Sequence, residues 1–460
     1  MGERRVVVVG GGLAGLAAAD ALAGVGVPVT LVEARRGVGG RAASFEDPAG
    51  GGVVDACQHV AMGCCTHFRD LCRRAGILDA VRTDRTLWFI GPDGRRSACT
   101  PARWLPAPLH LAPLLAGMQH FSLAERASLA VGMLRLARPL ANPEGITAAR
   151  WLAAIGQRER VVRLFWQPVI ESALGESLDL VGLGPARKVI VDGFLAHREA
   201  VELLVPRRSL GELFGARLAD WLVTRGVVLR TGAPATAVHR DGAGAACAVA
   251  TPAGDHPATA VVAAVPWRAA ARLVPDAVPA VAEHFAGSPI TAVHLWFDRE
   301  VIDLPHAVLV GRTSQWVFRP DTGAEAEAPG YCQVVISASR GLLGGDRQLL
   351  VDTVVDELAA VFPDVAGATV RHARVVTDPT AVLSVRPGVD AVRPRAATGI
   401  PGLFLAGDWT ATGWPSTMEG AIRSGRTAAV AVARHLGAPL PPPVPELPRA
   451  WLTRMIAGRG

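Results

Sequence analysis

The stretch from Arg5 to Glu33 constrains the fold more than any other part of the chain. The β-branched run Arg5–Val9 leads directly into a Gly-x-Gly-x-x-Gly sequence, and Val29–Val32 follows a stretch rich in alanine and leucine. This order predicts a buried strand, a tight turn, a helix over 13–25 and a second, parallel strand. The stretch is apolar enough to imitate a signal peptide or a membrane span. Its glycines fall where the strand should turn into the helix, which favours a buried βαβ unit.

Each glycine of this turn has a mechanical role in binding a dinucleotide. Gly10 permits the tight turn, Gly12 lets the backbone approach a pyrophosphate, and Gly15 lets the helix pack closely on the strand. Glu33 ends the second strand, where its carboxylate can accept hydrogen bonds from both adenosine ribose hydroxyls. Its charge would repel a 2′-phosphate, so the pattern disfavours NADP.

Two further blocks favour FAD over NAD. Gly39-Gly40-Arg41 follows soon after the acid and offers a second backbone approach, as a longer ligand requires. A strand predicted at 403–406 ends in Gly407-Asp408, ahead of a helix that runs from Ser416 toward residue 433. The positive end of this helix would favour an anionic reduced flavin. Ser416 and Glu419 also have the spacing of a capping box, so Glu419 either contacts the flavin or caps its own helix.

These blocks together resemble the FAD-dependent amine oxidase and phytoene desaturase superfamily. Within it, the chain is most similar to the hydroxysqualene dehydroxylases of bacterial hopanoid biosynthesis. The likeness covers most of residues 4–437. Relatives often carry Asp-Asn-Gly-Gln-His where this chain has Asp55-Ala-Cys-Gln-His59, so a substrate contact by the missing Asn is not expected here. The stretches that carry the likeness are VVVVGGGLAGLAAADAL with VEARRGVGGRAASF, VDACQHVAMGCCTHFRDLCRRAGI, and LFLAGDWTATGWPSTMEGAIRSGRTAA.

The resemblance implies an α/β fold in which a Rossmann-like FAD-binding domain is interleaved with a mixed α+β substrate domain. We expect the FAD-binding domain in segments 1–60, 200–285 and 385–437. The substrate domain should occupy 61–199 and 286–384, and 438–460 should form a proline-rich linker and tail. Further elements are predicted as a helix near 209–225 and strands at 227–230, 236–239, 246–250, 260–265, 291–297 and 332–337.

The two phosphate-facing blocks predict one FAD, held without a covalent bond. We expect its contacts to come from the three blocks and from one strand in the middle of the chain. The expected cofactor residues are Gly10, Gly12, Leu13, Ala14, Gly15, Glu33, Ala34, Arg35, Gly39, Gly40, Arg41, Val238, Gly407, Asp408, Met418, Glu419 and Ala421.

The resemblance implies that reduced FAD replaces the hydroxyl of hydroxysqualene by hydride, giving squalene. Because hydroxide is a poor leaving group, an acid should protonate it as the C–O bond breaks. His59 or Asp55 is the candidate acid, and Gln58 would hold the geometry. Trp409 or Trp414 would shield positive charge at the allylic carbon through their π faces.

Several alternatives stay open. The chain could be a carotenoid-type desaturase or isomerase, an amine oxidase, or a non-catalytic lipid carrier similar to Rab escort proteins. His59 and Asp55 could hold backbone or flavin instead of acting in catalysis, and the tryptophans could line a core. The cysteine- and histidine-rich stretch from Cys57 to Cys72 lacks the spacing of known metal sites, so no metal is expected.

Composition bears on location and partners. The chain has a net charge of +6, but the arginines are interspersed with acids, so nucleic acid is not an expected partner. The odd number of cysteines favours a reducing cytoplasm. An isoprenoid lipid substrate implies peripheral contact with the inner face of the cell membrane, through 104–115 or a tail helix over 448–456. The electron donor and the oligomeric state are left open.

Overall fold

The computed structural model describes residues 4–50, 52–140, 143–278, 284–320 and 330–458. Its centre is a five-stranded, wholly parallel sheet assembled from the N-terminal, middle and C-terminal thirds of the chain. Because parallel strands point the same way, the glycine turns that follow the first and last strands lie along one edge. The strands run across the sheet in the order Val228–Arg230, Val29–Val32, Val6–Val9, Ala260–Ala263 and Leu403–Leu405.

Two cores cover the faces of this sheet. Val6 and Val8 pack in the core that also holds helices Leu13–Ala23 and Met418–His435. Val7 and Val9 face the opposite core, which includes helix Trp267–Leu273. Coverage on both faces explains why the strands read as unbroken apolar runs rather than alternating ones. An antiparallel sheet of Ala237–Arg240, Ala246–Thr251 and Gly254–Pro257 adjoins the second core.

A seven-stranded mixed sheet forms the second half of the molecule. Helix Arg347–Ala359 packs on one face, and the hairpin Ser44–Asp47 and Gly52–Asp55 approaches the other. The hairpin belongs to the N-terminal segment, so this face of the sheet lies at the junction of the two halves. The strands run in the order Val370–Leu383, Gly287–Phe297, Tyr331–Ser337, Trp316–Phe318, His306–Leu309, Leu87–Ile90 and Arg96–Cys99.

The remaining elements are mostly helical. A small sheet of Ala61–Met62, Leu203–Pro206 and Val81–Asp84 joins the two halves. Three π-helical segments lie at Val162–Trp166, Val191–Leu195 and Gly211–Arg217. The other α-helices are Thr66–Arg74, Ala112–Gly117, Leu123–Ala137, Ala148–Ala154, Glu159–Val161, Gln167–Leu174, Leu183–Ile190, Leu218–Thr224, Val389–Val392 and Trp451–Ala457.

The α/β fold class is confirmed, and the predicted strands of the parallel sheet lie within about two residues of the observed ones. The capping box is wrong, because the C-terminal helix begins at Met418 and Thr417 caps it. Residues from Ala61 to Val81 pack in the core of the parallel sheet, beyond the boundary expected at residue 60. Strand Leu203–Pro206 contributes to both halves, since Leu204 faces one core while its two neighbours face the other.

Candidate active site

The two N-terminal glycine blocks fold against each other to make a shallow cradle. The Gly39 amide donates to the Gly11 carbonyl at 2.7 Å, and Gly12 and Gly39 form a parallel bridge. A Cβ on Gly12 would meet only the Gly40 Cα, at 3.9 Å, so this position opens onto free space. A Cβ on Gly15 would instead lie 1.9 Å from the Gly10 carbonyl oxygen. Gly15 therefore serves close packing, whereas Gly12 leaves the backbone open to a pyrophosphate, so the cradle fits FAD.

Glu33 is held at the edge of this cradle. Its carboxylate accepts hydrogen bonds from the Gly11 amide at 2.6 Å and the Arg35 amide at 2.8 Å. The Ala233 amide donates to the Glu33 carbonyl, which draws the segment before Val238 toward the acid. The structure thus ties the predicted ribose acid to the segment that leads into strand Ala237–Arg240.

Arg41 and Asp408 join the second cofactor block, Gly39–Arg41, to the C-terminal one across the molecule. The guanidinium donates to the Asp408 carboxylate at 2.5 Å and to the Ala381 carbonyl at 2.6 Å. Ser416 donates its hydroxyl to the same carboxylate. Burial opposes ionisation of Asp408, but Arg41, Ser416 and Arg393 outweigh it, so the pKa of Asp408 is lowered. The carboxylate is therefore ionised at neutral pH.

Helices Leu13–Ala23 and Met418–His435 follow the glycine turns of the first and last strands, and they pack in close contact. A Cβ on Gly425 would lie 2.0 Å from the Ala14 carbonyl oxygen, so only glycine permits this approach. The Gly407 amide donates to Ser424 at 2.8 Å, which ties the turn after the last strand to the C-terminal helix. The other predicted first-turn residues share the core between these helices: Leu13, Ala14, Met418 and Ala421.

Glu419 has a role that the spacing did not indicate. Its carboxylate accepts hydrogen bonds from the amides of His67 at 3.1 Å and Phe68 at 2.8 Å, and it pairs with Arg423 at 2.7 Å. Glu419 therefore caps helix Thr66–Arg74 rather than its own helix. Burial raises its pKa against these opposing contacts. Both carboxylate oxygens of Glu419 already have protein partners. A flavin contact by this residue stays a prediction.

Asp55, the first residue of the candidate catalytic turn, is hydrogen-bonded to two other segments. Its Oδ1 accepts hydrogen bonds from the Ser44 hydroxyl at 2.5 Å and the Leu210 amide at 2.8 Å. The residue is 5% exposed. Burial raises the pKa of Asp55 to about 6, although both hydrogen bonds act in the opposite direction. Asp55 is thus a carboxyl group that takes up a proton at mildly acidic pH.

His59, like its neighbour Gln58, is a predicted catalytic residue that is half-buried. Its Nδ1 lies 2.7 Å from the Cys57 carbonyl oxygen. A carbonyl only accepts, so Nδ1 carries the hydrogen and Nε2 is an acceptor in the neutral ring. Burial lowers the pKa of His59, the Cys57 carbonyl raises it, and the positive charge of Arg41 lowers it. The imidazolium that would act as an acid is therefore a minor species at neutral pH.

The two tryptophans predicted to shield positive charge are both buried. Trp409 is fully buried, donates its indole N–H to the Val265 carbonyl at 2.8 Å, and packs edge-to-face on Phe285. Trp414 is buried between two of the protein's own cations, Lys188 at 4.5 Å and Arg423 at 4.4 Å from its ring centre. The ring of Trp409 lies in the core, and the π face of Trp414 already contacts these two cations. The charge-shielding role stays a prediction that neither position favours.

Sequence reasoning missed a polar group behind the Asp55–His59 turn. His294, Tyr331 and Gln333 are buried side chains of the seven-stranded sheet, and Gln333 accepts a hydrogen bond from the Gln58 amide. The signal was present: Gln333 lies in the predicted strand 332–337, Tyr331 comes just before it, and both alternate with apolar residues. Such polar residues on one face of a buried strand indicate a polar neighbour.

Two further expectations concern a metal site and a membrane-spanning helix. Within 4–50, 52–140, 143–278, 284–320 and 330–458, no three His, Cys, Asp or Glu side chains are grouped as a metal site. The seven cysteines are all free. Over the same ranges, no helix combines the length and the apolar character that crossing a membrane requires.

Comparisons with known proteins agree with this geometry. The family model for flavin containing amine oxidoreductases matches residues 13–433, and the chain belongs to this family. It is 29% identical over 441 residues to the hydroxysqualene dehydroxylase of Sinorhizobium fredii, covering 93% of this chain and 97% of that protein. It is 23% identical over 457 residues to the 15-cis-phytoene desaturase of Solanum lycopersicum, covering 93% of this chain and 77% of that protein.

Solved structures show the same fold. The cyclohexylamine oxidase of Brevibacterium oxydans matches with a TM-score of 0.68 and 19% identity, over 95% of this chain and 100% of that chain. Family membership and the glycine cradle together establish that the protein is an FAD-dependent oxidoreductase. This excludes the alternative of a non-catalytic lipid carrier.

Proposed function

We propose that the protein reduces hydroxysqualene to squalene in bacterial squalene and hopanoid biosynthesis. The observation that carries this proposal is the near full-length similarity to two hydroxysqualene dehydroxylases. The chain covers 97% of the Sinorhizobium fredii protein at 29% identity and 98% of the Rhodopseudomonas palustris protein at 27% identity. The FAD cradle and the accessible ring of His59 are consistent with a reaction at a carbon–oxygen bond.

The proposed reaction exchanges one bond at an allylic carbon. The C–O bond breaks, the hydroxyl leaves as water after taking up a proton, and the carbon receives a hydride. When bound, reduced FAD supplies that hydride and is oxidised. The cradle formed by Gly12 and Gly40 would hold the pyrophosphate, and Glu33 would hold the adenosine ribose.

His59 is the candidate for handling the proton. In its neutral form Nε2 accepts a hydrogen bond, and so can orient the substrate hydroxyl. Protonated at Nε2, the ring can deliver the proton that makes water the leaving group. Asp55 is the weaker candidate, because its Oδ1 already accepts two hydrogen bonds and the residue is almost fully buried. We therefore assign Asp55 a supporting role that fixes the turn.

The second candidate function is desaturation of a carotenoid precursor. The 15-cis-phytoene desaturase of Synechococcus elongatus is 24% identical and is covered over 95% of its length. A desaturase removes hydrogen from its substrate and leaves the flavin reduced. The two proposals thus differ in the direction of electron flow.

One anaerobic experiment separates these functions. FAD-loaded protein, reduced with dithionite and freed of excess reductant, is mixed with hydroxysqualene, and flavin absorbance and products are followed. We expect one squalene for each flavin reoxidised. The reverse arm supplies oxidised enzyme with phytoene. Flavin reduction and loss of hydrogen in that arm, with no squalene in the first, would replace the proposal by the desaturase.

We also propose peripheral contact with the inner face of the cell membrane, where such a substrate would dissolve. Trp451 and Met455 on helix Trp451–Ala457 are 58% and 76% exposed, and Trp104 is also exposed. The predicted apolar side of the tail is divided, because Leu452 and Ile456 are half-buried against the protein. Thr453 donates to the Leu195 carbonyl at 2.7 Å, which fixes the exposed pair at the surface.

Arg449, a cation of the tail helix predicted over 448–456, is paired within the protein. It forms an ion pair with Asp192 at 3.2 Å, so it ties the tail to the helical region instead of facing headgroups alone. Arg454 is exposed beside Met455 and is the remaining tail cation expected to meet an anionic lipid.

A further inference from the structure

A cluster of three buried polar residues, His294, Tyr331 and Gln333, lies on the face of the seven-stranded sheet that meets the N-terminal hairpin. His294 and Gln333 are paired in register on neighbouring strands, and Tyr331 stands two residues before Gln333. The Tyr331 hydroxyl lies 2.8 Å from His294 Nδ1, and Gln333 Nε2 lies 3.2 Å from the same nitrogen. Burial lowers the pKa of His294 to about 4, so its ring is neutral at pH 7 and can accept at Nδ1.

Gln333 connects this cluster of polar residues to the candidate catalytic turn, Asp55–His59. Its Oε1 accepts a hydrogen bond from the Gln58 amide, and its Nε2 lies 3.4 Å from the Asp55 carbonyl oxygen. The two ends of one carboxamide therefore hold the backbone on both sides of Cys57. His59 follows directly and is itself bonded to the Cys57 carbonyl.

Burying the side-chain amide of Gln333 costs free energy that burying an apolar side chain would not. Gln333 is 2% exposed in a strand whose opposite face, at Cys332, Val334 and Ile336, packs in an apolar core. A buried polar group costs free energy unless its donors and acceptors are satisfied. The partners that satisfy Gln333 lie on its own sheet and on the turn, which separates its role from that of the core residues beside it.

We infer that Gln333 is a positioning residue that sets the backbone of the Asp55–His59 turn, and through it the His59 ring, for the reaction. The inference rests on the proposed function for its catalytic consequence but not for its structural one. A displacement of about 1 Å at a reacting group can cost about 100-fold in rate. The carboxamide is suited to the task because it presents an acceptor and donors at once.

Two substitutions and a matched control test this role. Gln333→Met keeps the approximate volume and removes both hydrogen bonds to the turn. Gln333→Glu keeps an acceptor and, when protonated, one donor. Cys332→Ala is the control, because it removes buried volume from the opposite face of the same strand without touching the turn. All three should retain FAD, since the glycine cradle lies elsewhere.

The first measurement needs no substrate. Hydrogen–deuterium exchange of FAD-loaded protein is followed in peptides that cover residues 55–60. We expect faster exchange in Gln333→Met and unchanged exchange in Cys332→Ala. Unchanged exchange in Gln333→Met would overturn the positioning role, whatever the enzyme's substrate. Faster exchange together with a wild-type enzyme that makes no squalene would keep the positioning role and reject the proposed reaction.

The second measurement is the pH dependence of kcat relative to wild type. Gln333→Met should lose about 100-fold at every pH, with flavin content unchanged. Gln333→Glu should approach wild type at low pH, where the protonated acid imitates the amide, and fall as pH rises and the acid ionises. The groups around it that also titrate or carry charge are Asp55, His59, His294 and Tyr331, with Asp47, Arg374 and His372 beyond His294.

A merely structural role would give neither pattern. If Gln333→Glu shows a pH-independent ratio to wild type, or if Gln333→Met and Cys332→Ala lower kcat equally, the inference is wrong. Should Gln333→Met fail to fold, the low-pH recovery of Gln333→Glu still decides the question.

Discussion

The glycine turn at Gly10–Gly15 and the turn at Asp55–His59 both belong to the proposed site but are built in different ways. The glycine turn is held mainly by its own neighbours: Gly15 packs on Gly10, and Gly12 faces Gly40. The second turn takes its supports from Ser44, its partner in the hairpin, and from two distant segments, at Leu210 and Gln333. Cofactor binding therefore depends on local backbone shape, whereas the placement of the proposed catalytic side chains depends on how the two halves pack.

The largest expected effect comes from the glycine turn. Gly12→Val should fold and yet bind no FAD, because its side chain enters the open space that the pyrophosphate needs. Flavin absorbance of the purified protein and its far-ultraviolet circular dichroism measure the two properties. Gly15→Ala is the contrasting variant. Its Cβ would lie 1.9 Å from a backbone oxygen, so it should lose folding itself. A folded Gly12→Val protein with full flavin content would contradict the assignment of this cradle as the pyrophosphate site.

The next effect tests the second turn. His59→Ala should keep FAD and lower kcat by about 10²–10⁴-fold, the usual contribution of one general acid. If the imidazolium is the acid, kcat of the wild type should fall as pH rises through a pKa below the ordinary histidine value, since burial lowers it. His239→Ala, an exposed histidine on strand Ala237–Arg240, serves as the control. Parent turnover in His59→Ala would assign the proton to another group.

A third effect concerns stability in the hairpin that carries Asp55. Burial raises the pKa of Asp55 to about 6 from 3.8, so its contribution to stability is present below about pH 4 and lost as pH rises through 6. Asp55→Asn keeps both hydrogen bonds without the buried charge. It should raise the free energy of unfolding at pH 8 by up to about 3 kcal/mol, with no gain near pH 4. It should also keep FAD and lower turnover less than His59→Ala does.

Asp47, in the same hairpin, is a control whose pKa is shifted in the opposite direction to that of Asp55. Burial opposes its ionisation, but the Gly50 amide, His372 and Arg374 together lower the pKa of Asp47. Its stabilising contribution is therefore present at neutral pH and lost as pH falls, so Asp47→Asn should destabilise at pH 8. Urea unfolding of both variants at pH 4 and pH 8 makes the comparison. Equal shifts in the two variants would contradict the assigned charges.

The smallest effect is expected at the surface, where neither turn is involved. Trp451→Ser with Met455→Ser should weaken flotation with anionic vesicles by about tenfold, because two exposed apolar side chains no longer enter the lipid. FAD content should not change. Leu349→Ser, at an exposed leucine on helix Arg347–Ala359, is the matched control. Equal flotation of the double variant and the wild type would remove the tail helix from membrane contact.

The regular elements of the parallel sheet could be predicted because their signals are local. Val6–Val9, Val29–Val32 and the glycines between them obey spacing rules that a βαβ unit imposes wherever it occurs. The C-terminal block was equally readable, apart from the residue at which its helix begins. A strand run and a glycine turn need only their neighbours in sequence to define a backbone path.

The sequence by itself determined the FAD cradle, since Gly10, Gly12 and Gly15 permit a turn and close backbone approaches that a side chain would block. Only the tertiary structure decided that Trp409 lies in a core and that Glu419 caps another helix. It also decided that Gln333 holds a turn 275 positions away in the chain. The physical reason is that buried polar groups take the partners that packing brings to them, and residue spacing does not encode which segments will meet.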